Sequence, residues 1–167
     1  MSSIMIQTAK GRYRRARKDE IISAALQCAV RDMPARIGRT PKALIQSLVP
    51  LIGAREREGF YCAWLTVRHD LIAFDEFSLG TLDGAAVYPR EIAKQALEHN
   101  AGAVVFCHNH PSGHLGPSGP DKVITDRLQE ALALFGIRVL DHFIVTETGY
   151  YSFAEHQLLR APAQSQG

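Results

Sequence analysis

At 167 residues, with 46% apolar and 22% charged residues, the chain has the size and mix of one globular domain with short appendages, so composition alone excludes little. The longest apolar runs, such as AGAVVFC at 101–107, are strand-sized, and this excludes a membrane-spanning helix. The IMI of the opening MSSIMIQTAKGRYRR is too short for the apolar stretch of a secretory signal, so no export is expected. The net charge of +2 is unevenly placed: Lys10, Arg12, Arg14, Arg15, Arg17 and Lys18 fall within residues 1–18, which hold no acid. The remainder is therefore acidic, at about −4.

Residues 1–18 read as a basic flexible arm, either a plain solvated tail or a contact for phosphates, with nucleic acid the partner its residues 10–18 would meet. DEIISAALQCAVRD (19–32) puts Ile22, Leu26, Ala29 and Val30 on one side of a short helix, and MPARIGRTP (33–41) breaks it as a linker. A second helix is expected from Pro41, capped by Thr40 and closing near Gly53, with Pro50 disturbing its last turn. FYCAWLTV (60–67) and LIAFDEFSL (71–79) read as a hairpin turned by RHD, and GTLDG (80–84) as a loop. YPREIAKQALEHN (88–100) has the proline start of a helix and keeps Ile92, Ala93, Ala96 and Leu97 together. AGAVVFC is a strand buried on both faces. DKVITDRLQEALALFG (121–136) is a helix with Ile124, Leu128, Ala131 and Phe135 inward, closed by Gly136. IRVLDHFIVT (137–146) and YYSF (150–153) complete the strands, and residues 161–167 read as a disordered tail. Strands alternating with helices give an α/β sandwich around one central sheet. The three cysteines, Cys28, Cys62 and Cys107, have no paired spacing and read as reduced thiols, in keeping with a cytoplasmic location.

The chemistry concentrates in CHNHPSGHLGPSGPD (107–121). His108 and His110, two apart at a strand end, point to one side, and Cys107 points to the other. Ser118 precedes a helix and Asp121 lies in its first turn, which chain reversal brings back over the strand end. Two neutral imidazoles and one carboxylate suit zinc, with the fourth tetrahedral position left for water. Hydrolysis would then need a base and an oxyanion donor, and the Ser118 hydroxyl is placed for the second role. Each half has a bland reading, since H-x-H pairs are often polar surface and Ser118 with Asp121 makes an ordinary helix cap. Joined as H-x-H-P-x6-S-x2-D, the five residues arise by chance with a frequency on the order of 10⁻⁵.

That stretch matches the JAMM signature of the JAB/MPN metalloprotease superfamily. GTLDGAAVYPREIAKQALEHNAGAVVFCHNHPSG (80–113) and RVLDHFIVTETGYYSFAEH (138–156) are similar to its RadC branch, historically labelled DNA repair proteins. The resemblance covers roughly residues 41–160. It implies a JAB/MPN-like (cytidine-deaminase-like) sandwich with a central mixed β-sheet flanked by helices, a Zn²⁺ ion, and hydrolysis of a peptide or isopeptide bond in an unidentified substrate. Residues 1–40, with 19–40 as a helix and linker, are too short for the helix-hairpin-helix module of larger RadC-type proteins, and resemble the short forms of mobile elements and prophages. The superfamily also carries a glutamate at a helix-to-strand junction. This implies Glu58 as general base, with Glu76 its rival. Asp141 and His142 are placed in a supporting or structural role, and His114 is a further candidate ligand. The competing expectation is a DNA-associated or partner-binding protein whose metal site is structural or vestigial.

Overall fold

In the computed structural model, which describes residues 3–78 and 87–161, one five-stranded sheet lies between two pairs of helices. The expected loop at 80–84 and most of the expected tail lie outside the described residues. The first difference from expectation comes at once. Residues of the basic arm form a two-stranded antiparallel hairpin, β1 (Met5–Gln7) and β2 (Tyr13–Arg15), turned at Gly11 with φ 74°. Arg14 holds this hairpin to the body through both carboxylate oxygens of Glu20, at 2.6 and 2.9 Å.

Helix α1 (Lys18–Arg31) buries Ile22 and Leu26, as its spacing predicts. The linker contains a short 3₁₀ turn, Ala35–Arg39, and α2 (Pro41–Ile52) begins directly after it. Thr40 occupies the N-cap position, but its side chain makes no capping bond, because the preceding turn leaves it at φ −124°, ψ 85°. Pro50 does not break α2. Both Pro50 and Gln46, whose carbonyl loses its usual donor, face solvent, so water can satisfy that carbonyl.

Strands β3 (Gly59–Leu65) and β4 (Leu71–Ser78) form the expected antiparallel hairpin. Helix α3 (Pro89–Glu98) follows, then β5 (Ala103–Asn109), α4 (Gly119–Ala133), β6 (Arg138–Thr146) and β7 (Gly149–Ser152). The sheet order is β4-β3-β5-β6-β7, with β5 and β6 parallel and every other pair antiparallel. Helix α4 is the crossover that a parallel pair requires. Every residue of β3 and of β5 is buried. Their alternation sorts the core into two layers. Tyr61, Ala63, Leu65, Val105 and Cys107 face α1 and α2, whereas Phe60, Cys62, Trp64, Val104 and Phe106 face α3 and α4.

Two boundaries move. Strand β5 starts later than expected, because Ala101 and Gly102 belong to the turn out of α3, and it runs on to Asn109. In α4 the inward positions are Thr125, Leu128 and Leu132; the helix ends before Phe135, which is exposed.

Candidate metal centre

The site lies at the C-terminal end of β5, where the chain leaves the sheet towards the N-terminus of α4. His108 is the penultimate residue of β5 and is almost wholly buried. His110 stands just past the strand, its backbone N–H donating to the Val145 carbonyl at 2.9 Å. Ser118 and Asp121 form a capping box on α4. Asp121 N–H donates to Ser118 Oγ at 3.2 Å, and Asp121 Oδ2 accepts from the Ser118 N–H at 2.7 Å and hydroxyl at 2.6 Å. The helix-cap reading of this pair is thus correct as structure, and it orients the carboxylate as well. Asp121 Oδ1 lies 3.3 Å from His108 Nε2, and Oδ2 lies 3.5 Å from His110 Nε2.

Ligand atoms of Glu58, His108, His110 and Asp121 all lie within 4.8 Å of one another, and this set does not include His114. The four residues expected to hold and assist a metal are therefore brought together. His114 contributes its backbone carbonyl, 2.8 Å from His110 Nδ1. Glu76 is elsewhere: its carboxylate pairs with the buried Arg55 and accepts from Ser23 Oγ at 3.1 Å, tying β4 to α1. Of the two glutamates, Glu58 is the one that stands beside His108, His110 and Asp121.

Glu58 arrives from the segment between α2 and β3. The antiparallel register that sets Phe60 opposite His108 puts it at the same end of the sheet. Asn109 secures it. Its side-chain carbonyl accepts from Gly59 N–H at 2.8 Å, and its amide donates to the Arg57 carbonyl at 3.0 Å, so one side chain grips the peptides on both sides of Glu58. Sequence reading missed this role. The available signal was an amide at the end of a buried strand, which must find partners.

Behind His108 stands His142, wholly buried on β6, with its Nε2 2.8 Å from His108 Nδ1 and its Nδ1 2.7 Å from Thr125 Oγ1. Burial, and then the neighbouring His108, push its pKa well below the ordinary imidazole value. Asp141 faces the other way. It accepts from His142 N–H, Ser152 Oγ and Ala154 N–H and joins β6 to β7, although burial raises its pKa. Thr125, one turn beyond Asp121, is the second residue the sequence reading passed over.

The residues fit a cation. His110 Nδ1 is spent on the His114 carbonyl, which leaves its Nε2 facing His108 Nε2 at 2.9 Å and the Asp121 carboxylate beside both. Two imidazole nitrogens and a carboxylate converge, and the carboxylate is held from its far side by the Ser118 N–H and hydroxyl. The Asp121 carboxylate raises the pKa of His110, with partial burial opposing it. Burial also opposes the charge on Asp121, yet contacts with His108, His110 and Ser118 prevail and hold its carboxyl well below the usual range. The 2.9 Å spacing of the two Nε2 atoms is that of a hydrogen bond, which one proton between the rings satisfies. The two oxygens of the Asp121 carboxylate lie 3.3 Å from one of these nitrogens and 3.5 Å from the other, so all three side chains border one small space.

A mixed sheet between helix pairs, with a His-x-His strand end facing a helix-capping Asp, defines a JAB/MPN-type domain. The family model described as RadC-like JAB domain matches residues 38–158, and the chain belongs to that family. It is 49% identical over 140 residues to UPF0758 protein RSc2444 of Ralstonia nicotianae, covering 81% of this chain and 62% of that protein. A UPF0758 protein of Nitrosococcus oceani is 52% identical over 119 residues, covering 71% and 53% respectively. UPF0758 protein Smlt0399 of Stenotrophomonas maltophilia is 44% identical over 147 residues, covering 84% and 63%. The chain thus spans between 53% and 63% of the length of these relatives.

Proposed function

We propose that this domain is a zinc-dependent hydrolase of peptide or isopeptide bonds, acting in the cytoplasm. The observation that carries the reading is the convergence of two imidazole Nε2 atoms and the capped Asp121 carboxylate on one point beside Glu58. A divalent ion held there would acidify a water molecule and polarise a substrate carbonyl. Glu58 takes the proton of the attacking water and returns it to the departing amine nitrogen as the C–N bond breaks. Ser118 turns its hydroxyl from Asp121 to the substrate oxygen, while its N–H keeps hold of the carboxylate. Asn109 keeps Glu58 in place.

The purified chain should bind about one zinc ion, and His108→Ala/His110→Ala should bind none; equal, negligible binding by both sinks the proposal. Glu58→Gln separates a base from a fourth ligand. As a base, Glu58 can be replaced with zinc retained and with cleavage of a peptide and isopeptide library, read by mass spectrometry, abolished. As a fourth ligand closing a structural site, its replacement weakens zinc binding instead.

A second reading stands beside the first. The β1–β2 hairpin and the residues after it expose Lys10, Arg12, Tyr13, Arg15 and Arg17, and this favours contact with nucleic acid phosphates. Lys10→Glu/Arg12→Glu/Arg15→Glu should abolish salt-sensitive DNA binding; binding that survives unchanged removes the hairpin from that role.

A further inference from the structure

His142 is a polar side chain fully enclosed by the core, its ring packed between Phe60, Phe106 and Phe153 at centroid separations of 5.5, 5.8 and 4.7 Å. Such a group is retained at a cost unless both of its nitrogens are used. Both are used here, and in a determinate order.

We propose that Thr125 and His142 set the tautomer of His108, keeping the His108 Nε2 lone pair bare and aimed at the metal point. This rests on the metal-site reading above. Thr125 has one hydroxyl proton, and it donates that proton to the Asp121 backbone carbonyl at 2.6 Å. Its oxygen can then only accept from His142, and a ring enclosed by three aromatic side chains, with no carboxylate at either nitrogen, holds a single proton, which therefore sits on Nδ1, 2.7 Å away. His142 Nε2 is left without a proton and faces His108 Nδ1 at 2.8 Å. Two bare nitrogens at that distance repel, so the proton between the rings belongs to His108 Nδ1. His108 Nε2, 3.3 Å from Asp121 Oδ1, is consequently the free donor atom.

The chain of bonds starts on the backbone of one ligand residue, Asp121, and ends on the ring of another, His108. It also sets the pitch of the His108 ring, because His142 itself cannot turn between its three aromatic neighbours. His110 is oriented more simply, by donating from Nδ1 to the His114 carbonyl, and in the metal-free protein the proton between the two Nε2 atoms is then its own. One ligand is thus oriented by a surface loop and the other from inside the core. Thr125 and His142 are positioning residues: neither touches the metal point.

The test uses the full chain labelled with ¹⁵N-histidine. Long-range ¹H–¹⁵N correlation in the metal-free protein reads the tautomers, and competition with a chromophoric chelator reads zinc affinity. Wild type should show His108 protonated at Nδ1. Thr125→Val, which keeps the shape and removes the hydroxyl, should move the His108 proton to Nε2 and weaken zinc binding about 10–100-fold. The metal-free melting temperature should fall modestly, because one buried ring nitrogen loses its partner, so the tautomer and not the stability decides the test. Thr125→Ser restores the bond and should restore affinity, and so should His142→Gln, whose carbonyl can accept from His108 while its amide donates to Thr125. Wild-type His108 found with its proton on Nε2, or Thr125→Val binding zinc as tightly as wild type, overturns the inference. A wild-type chain that binds no zinc sinks the hydrolase reading instead, and the tautomer measurement still decides this one.

Discussion

Asn109 sits between the two histidines yet faces away from them, and its amide is shared between two peptide groups some fifty residues upstream. Asn109→Ala leaves the buried Gly59 N–H without its acceptor, which should cost about 1–3 kcal/mol in chemical denaturation. Zinc content should hold, since no ligand is lost, while cleavage that depends on Glu58 should fall. A second consequence at this scale concerns acid. His110 keeps its proton to a higher pH than free imidazole, whose value is 6.5, because Asp121 lies beside it. A metal must displace that proton, so affinity should be constant above the raised value. Below it, affinity should decline by about tenfold per pH unit for one proton displaced. Chelator competition from pH 5 to 8 measures this, and a flat profile would show that His110 is not a ligand. The His-x-His pair, Asp121 and Ser118 are legible in the sequence because their relation is local: a strand end, a reversal, a helix start. Asn109 and Thr125 are not, because their partners come from β3 and β6, and only sheet order brings those to the site; His142 is reached as a supporting residue only through the family resemblance.

At the scale of elements, most helices and strands follow from apolar period and from proline or glycine at their ends. The misplacements have local causes. Phe135 keeps helical spacing with Leu128, but α4 has already ended at Ala133, and Leu132 takes the inward position. The basic arm has too little apolar content to announce a strand. Its hairpin depends on Gly11 at positive φ and on the Arg14–Glu20 pair, a contact with the next helix that period cannot reveal. Gly53, read simply as the end of α2, has a stronger reason to be glycine. A Cβ there would come within 2.5 Å of the Thr146 carbonyl oxygen and 2.7 Å of its carbon, backbone that cannot step aside. Gly53→Ala should therefore push α2 from the end of β6 and lower stability by about 1–3 kcal/mol, seen in the denaturation midpoint. Because the chain from Gly53 leads directly to Glu58, the same substitution should reduce hydrolysis more than zinc content.

Across the whole molecule, the site draws on three separate stretches: the α2–β3 junction, the end of β5, and the start of α4. No helix among the described residues is long and apolar enough to cross a membrane. An ion binding only the folded form stabilises it by mass action, by about 2.7 kcal/mol at a hundred times the dissociation constant. For a chain of this length that raises the melting temperature by about 5–11 °C. Calorimetry with and without zinc should show it, and His108→Ala/His110→Ala should abolish the difference. The pairing of β3 with β5 has a further bearing on the proposed hydrolysis. A nascent or partly folded segment spanning 108–121 contains every side chain assigned to grip the ion, but no base. Glu58 joins only when β3 docks with Phe60 against His108, and a slip of two residues would carry it about 7 Å away. On the proposed mechanism the base would thus be supplied only by the seated strand, so cleavage would have to wait for the completed sheet.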